Sequence, residues 1–205
     1  MRRTETERPD LWAVEDALYA EGIESICGVD EAGAGPLAGP VCAAAVILPR
    51  GLTIPWLNDS KKVTPKRREI LFDQLCEQAV GYAVAWADER EIDELNILNA
   101  RMLAMERAIQ ALKPRPDFAL IDGNYNKGIT CPNRPMVKGD ARSASIAAAS
   151  ILAKVSRDRF MVEMGERYPQ YRFEQHKGYP TKLHYQKLRE YGPCPIHRRT
   201  FLKKL

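Results

Sequence analysis

The sequence predicts an α/β fold: a mixed β-sheet flanked by helices, ending in a helical C-terminal extension. Three observations carry this. Segments 23–30, 40–48 and 81–87 are rich in Val, Ile and small apolar residues and come early. Two further short apolar segments, 118–121 and 135–137, are separated from them by helical stripes. Residues 143–163 then form an Ala-rich run whose small side chains allow close packing on a sheet.

Taken in order, residues 10–20 read as a short amphipathic helix ended by Gly22. The strands at 23–30 and 40–48 flank a glycine-rich turn and read as a hairpin. Thr64 followed by Pro65 is an N-cap with proline at the first helical position, and Ile70, Leu71, Leu75 and Val80 supply an apolar stripe. The strand at 81–87 runs into Asp88, which caps a helical region. Residues 98–112 form an amphipathic helix with Met102, Met105 and Ile109 on one face, stopped by Pro114 and Pro116. The strand at 118–121 is halted by Asp122-Gly123-Asn124, and that at 135–137 by Lys138-Gly139-Asp140. After the Ala-rich helix, residues 181–189 form a final helix on a basic tail.

At 205 residues, 45% of them hydrophobic, the chain fits one domain with a real core. The apolar stretch 41–48 is too short to span a bilayer, and the start Met1-Arg2-Arg3-Thr4-Glu5 carries charge where a secretory core would stand. Five cysteines, scattered and odd in number, read as free thiols in a reducing cytoplasm. Cys194 and His197 lack a second ligand pair, so zinc is not expected. No long apolar surface stripe calls for a dimer, so a monomer without a membrane partner is expected. The net charge is only +4, yet residues 176–205 hold eight Lys/Arg against Glu190 alone, and Lys61, Lys62, Lys66, Arg67 and Arg68 form a second cluster. Both suit a polyanionic partner, though charge alone suits a solvated surface equally well.

The chemistry lies in the acids. Asp30 and Glu31 stand together between an apolar run and the glycines at 33 and 35, and Asp122 and Asp140 stand at two further strand ends. An isolated Asp-Glu pair is more often a solvated turn, and Asp-Gly is an ordinary turn signal. Together, carboxylates from separate strands converging at one end of a sheet resemble an oxygen cage for Mg²⁺ or Mn²⁺. Two such ions ~3.5–4 Å apart would suit in-line phosphodiester cleavage. Adjacent strand residues point to opposite faces, so either the strand is distorted at Asp30–Glu31, or Glu31 reaches round or offers its carbonyl.

The segment Gly28-Val29-Asp30-Glu31-Ala32-Gly33-Ala34-Gly35-Pro36-Leu37-Ala38-Gly39-Pro40-Val41 strongly resembles the opening signature of type 2 ribonucleases H, the bacterial ribonuclease HII family. So do Asn58-Asp59-Ser60-Lys61-Lys62, Ile121-Asp122-Gly123-Asn124 and Lys138-Gly139-Asp140. The match continues through 147–155 with Arg157-Asp158, His176-Lys177-Gly178-Tyr179, Thr181-Lys182 with His184, and His197-Arg198-Arg199. The resemblance implies a ribonuclease H-like fold in one domain over 1–205: an N-terminal helical extension (1–22), a catalytic core (23–165) and a basic helical substrate-binding segment (166–205). It implies endonucleolytic cutting of RNA in RNA/DNA hybrids and at single ribonucleotides in duplex DNA, leaving 3′-hydroxyl and 5′-phosphate ends. The family's metal-binding, catalytic carboxylates fall on Asp30, Glu31, Asp122 and Asp140. Its 2′-hydroxyl-reading turn falls on Gly33, Ala34 and Gly35, its sugar-packing tyrosine on Tyr179, and its phosphate contacts on Lys61 and Lys62. A sliding clamp or polymerase partner is left open.

Asp158, mid-helix between two arginines, reads as structural and paired with a neighbouring base. His176 and His184 read as ordering the substrate-facing loop. The departure is Ala34, where the family has arginine: the backbone donors of the turn survive, while a guanidinium able to fork onto phosphate is gone. Retained chemistry with weaker substrate binding is expected. Two other readings stand beside it: a DNA nuclease or resolvase of related fold, and a hybrid-binding protein that has lost activity.

Overall fold

A computed structural model describes residues 10–58 and 60–203. The first nine residues of the N-terminal extension, Asp59 of the Asn58–Lys62 motif and Lys204 of the basic tail lie outside the described residues. Helix α1 (Ala13–Ala20) leads into β1 (Ile26–Ala32) and β2 (Val41–Ile47); α2 (Pro65–Gln78) and β3 (Gly81–Ala87) follow. Next come α3 (Glu89–Leu95), α4 (Ile97–Ala111), β4 (Phe118–Asp122) and β5 (Asn133–Met136). The chain continues through α5 (Ala144–Arg167), the single turn α6 (Phe173–His176) and α7 (Lys182–Tyr191).

The sheet runs β3-β2-β1-β4-β5. β1 pairs antiparallel with β2 and parallel with β4, so the sheet is mixed, as the alternation of elements predicts. Its two faces are covered differently. Cys27, Val29, Ala43 and Ala45 pack with Met102, Met105 and Ile109 of α4. Ala44 and Val46 pack on the other face with Leu71 and Leu75 of α2 and with Ala147, Ala148 and Ile151 of α5. Gly28 is where α5 meets the sheet: a Cβ there would lie 2.0 Å from the Ser145 carbonyl carbon. Only glycine permits that approach, and it brings α5 down on β1.

Several boundaries differ from expectation for physical reasons. Ile70 and Val80 of the expected α2 stripe are exposed, because Leu71 and Leu75, with Phe72 and Cys76 beside them, form the core-facing side and α2 ends at Gln78. The two helices expected after Asp88 are both present, and α4 starts one residue early because the Asn96 side chain (φ 67°) accepts from the amides of Leu98 and Asn99. β5 starts earlier than expected and leaves Val137 exposed, since pairing of Asn133–Met136 with β4 sets its limits, not apolarity. Among the described residues no helix is long and apolar enough to cross a membrane.

Candidate active site

β1 is regular through the acid pair: Asp30 stands opposite Ala44, Glu31 opposite Ala43, and the strand continues to Ala32. Of the alternatives the sequence left open, strand distortion is therefore excluded, and the two side chains take opposite faces. Asp30 falls on the α5 face, where its carboxyl is bonded by Ser150. Glu31 falls on the α4 face, against Arg101. Asp122 ends β4, one step beyond the parallel pair Val29–Ile121, so it shares the face of Asp30 on the neighbouring strand. Paired strands lie about 4.8 Å apart. Asp140 is not at a strand end: it sits, buried, in the 3₁₀ turn Gly139–Ala141 beyond β5. That turn is tied to β4 by the Gly139 amide, which donates to Asp122 Oδ1 at 2.7 Å.

Burial is the main force on these acids. It pushes the Asp30 carboxyl well above the usual range, Glu31 and Asp122 push it further, and hydrogen bonds from the Glu31 amide (2.7 Å) and Ser150 pull it back. Glu31 is also raised by burial; Arg101 opposes this, Asp122 adds to it and Lys61 opposes it again. Three carboxylates thus repel one another at the ends of two strands. Each is turned onto a protein donor: Asp30 onto the Glu31 amide, Glu31 onto Arg101, Asp122 onto Gly139. Accordingly, among the described residues no three His, Cys, Asp or Glu side chains form a ready-made ligand set.

Beside the acids lies a cavity of about 240 Å³ that brings Asp30, Glu31, the turn Gly33-Ala34-Gly35, Lys61 and Tyr179 together. Asp122, Asp140 and Lys62 do not line it. Its walls are cross-linked by hydroxyls, since those of Ser150 on α5 and Ser60 lie 2.8 Å apart and so couple the Lys61 loop to the helix behind Asp30.

The turn owes its shape to two arginines that the sequence did not place beside it. Arg198 donates to the carbonyls of Gly33 (2.6 Å), Ala34 (2.9 Å) and Gly39 (2.9 Å). Arg157 donates to Ala38 (3.1 Å), Pro40 (3.0 Å) and Lys177 (3.1 Å). Both are fully buried, and desolvation lowers the Arg198 pKa to about 9. Gly33 has φ 97° and a Cβ there would lie 1.9 Å from Arg157 Nε, so glycine is required twice over. The basic-tail reading needs correcting here, because Arg198 points into the protein and not at a duplex. Both arginines stand inside motif segments, yet an arginine in sequence reads as surface charge, and nothing local reveals carbonyl partners more than a hundred residues away.

The Tyr179 turn is held as expected by histidines. Its carbonyl meets His184 Nδ1 at 3.0 Å, its amide donates to His176 O, and its ring faces Lys154 and Arg157. Asp158 pairs with a base as expected; the base is Lys154, four residues back, at 2.6 Å.

The family model described as Ribonuclease HII matches residues 27–204. The Ribonuclease HII of Caldicellulosiruptor saccharolyticus is 54% identical over 96% of this chain and 96% of its own length. That of Caldicellulosiruptor bescii is 52% identical over 100% of this chain and 98% of its own. Among solved structures, the ribonuclease H2 from Pyrococcus horikoshii superposes with a TM-score of 0.71 at 28% identity, covering 86% of this chain and 93% of that one.

Proposed function

The chain belongs to the ribonuclease HII family, and from that footing we propose that Asp30, Glu31, Asp122 and Asp140 are its metal-holding catalytic carboxylates. The protein is a metal-dependent hydrolase that cuts the RNA strand of RNA/DNA hybrids on a ribonuclease H-like fold. The carrying observation for the site is the adjacency of Asp30 and Asp122, two carboxylates on one face of neighbouring parallel strands. Burial and mutual repulsion raise Asp30 there. A cluster of hard oxygen donors fits Mg²⁺ or Mn²⁺. A pair of such ions, when bound, would supply a water of lowered pKa and charge stabilisation for the leaving oxygen.

The remaining steps belong to the chain. Gly33, Ala34 and Gly35 line a cavity with Asp30 and Tyr179, and in this reading their amides sense the ribose 2′-hydroxyl that separates RNA from DNA. Tyr179 packs on the sugar at the RNA–DNA junction, with its turn fixed by His176 and His184. Lys61 and Lys62 take phosphate and set register without reading bases. The products are a 3′-hydroxyl and a 5′-phosphate, and a single ribonucleotide in duplex DNA suffices as substrate. The working form is a monomer.

The test is cleavage of a DNA duplex bearing one ribonucleotide, in Mg²⁺, Mn²⁺ or chelator, by wild type and by Asp30→Asn and Asp122→Asn. We expect metal-dependent incision at the ribonucleotide, none on the all-DNA duplex, and a loss of at least about a thousandfold in each variant. Undiminished cutting by either variant would remove these acids from the site.

A further inference from the structure

Glu31 already has a cation. Arg101 of α4 stands against both of its oxygens: Nη2 donates to Oε2 at 3.1 Å, and Nε lies 2.9 Å from Oε1 as a charge contact without hydrogen-bond geometry. The pair is mostly withdrawn from solvent, with side-chain exposures of 23% and 13%. The guanidinium also reaches the end of β4: a Cβ built on Gly123 would lie 3.6 Å from Arg101 Nη2, one residue past Asp122. Arg101 therefore stands in the corner between Glu31 and the β4 terminus, where the acids repel one another.

We propose that Arg101 is a resident counter-ion of the acidic site and sets how tightly the site takes a divalent ion. Paired with Glu31, it stabilises the metal-free protein by neutralising one buried carboxylate. The same pairing weakens metal binding twice. It holds one oxygen of a ligand by hydrogen bond, and it places a positive charge beside the incoming cation. A buried arginine deprived of its carboxylate is costly, so pairing and metal binding compete. Arg101 acts through Glu31 and is a positioning residue. The inference rests on the reading of Glu31 as a metal ligand.

The experiment is calorimetric titration of Mn²⁺ into the full chain without nucleic acid, at one ionic strength, with thermal melts in parallel. Wild type, Arg101→Gln, Arg101→Lys and Glu31→Gln are compared. Arg101→Gln is expected to bind Mn²⁺ on the order of tenfold more tightly, the effect of removing a unit charge about 6 Å from a double one in water. Its metal-free Tm falls and its Mn²⁺-induced rise in Tm exceeds that of wild type. Arg101→Lys, which keeps the charge, stays within about threefold of wild-type affinity. Should Arg101→Gln fail to fold, NMR decides: on Mg²⁺ addition the Arg101 Nε–H resonance, identified by its loss in Arg101→Lys, is expected to shift and exchange faster. Equal or weaker Mn²⁺ binding by Arg101→Gln, or an unmoved Nε–H signal, overturns the counter-ion role while Glu31→Gln still loses affinity. Wild-type affinity in Glu31→Gln overturns instead the assignment of Glu31 to the metal site.

Discussion

Position 34 separates the shape of the turn from the phosphate contact proposed there. The Ala34 carbonyl is gripped by Arg198, as is that of Gly33, so the turn keeps its form without any side chain at 34. What alanine cannot do is reach a phosphate. Introducing the guanidinium by Ala34→Arg is expected to lower KM for a ribonucleotide-bearing duplex by about tenfold, the worth of one charge-assisted hydrogen bond. Steady-state kinetics check this, and no gain in either kcat or KM would count against it. The sequence displayed Ala34 plainly but hid Arg198. A turn signal is local, whereas a grip on its carbonyls from the far end of the chain depends on packing.

Among elements, the C-terminal extension is held together internally by a relay of neutral rings. His184 Nδ1 faces the Tyr179 carbonyl and must donate, which leaves its Nε2 to accept from His197 Nε2 at 3.0 Å. His197 Nδ1 then accepts the Cys194 amide at 2.9 Å. A proton added to either ring would confront a donor. Burial lowers both pKa values to about 4, against about 6.5 in the unfolded chain. Between those values the unfolded state binds more protons, so this contribution to stability is present above about pH 6.5 and is lost on acidification toward pH 4. Thermal melts from pH 7 to pH 4.5 should show a falling Tm, with a shallower fall in His197→Gln; an equal slope in the variant would exclude the relay. Elsewhere elements are joined by a buried carboxylate: Glu15 of α1 accepts from the Ser145 amide and from the hydroxyls of Ser143 and Ser145, capping α5 from a helix distant in sequence.

For the whole molecule, the question is where the positive charge faces. Lys61, Lys62, Lys66 and Arg67 are exposed on one side of the acid cavity, and Lys182, Arg189 and Arg199 on the extension. Arg157 and Arg198 are spent inside. Binding to a hybrid should therefore rest on fewer phosphate contacts than the sequence count of basic residues suggests. Replacing Lys61 and Lys62 together by Ala should weaken binding to all hybrid sequences alike. It should also flatten the dependence of log Kd on log salt by about one to two units, which fluorescence anisotropy over a salt series would report. An unchanged slope would place these lysines off the duplex.

By itself the sequence determined the element types, the mixed sheet, the candidate acids and the glycine turn beside them, because periodicity, turn chemistry and motif order are written along the chain. It could not determine that β1 runs undistorted through Asp30 and Glu31, that Asp140 arrives on a 3₁₀ turn, or that Glu31 is met by Arg101. Nor could it separate inward-facing arginines from the basic surface. Strand register and burial decide those points, and both arise only when segments far apart in sequence pack against one another and compete for the same charges and carbonyls.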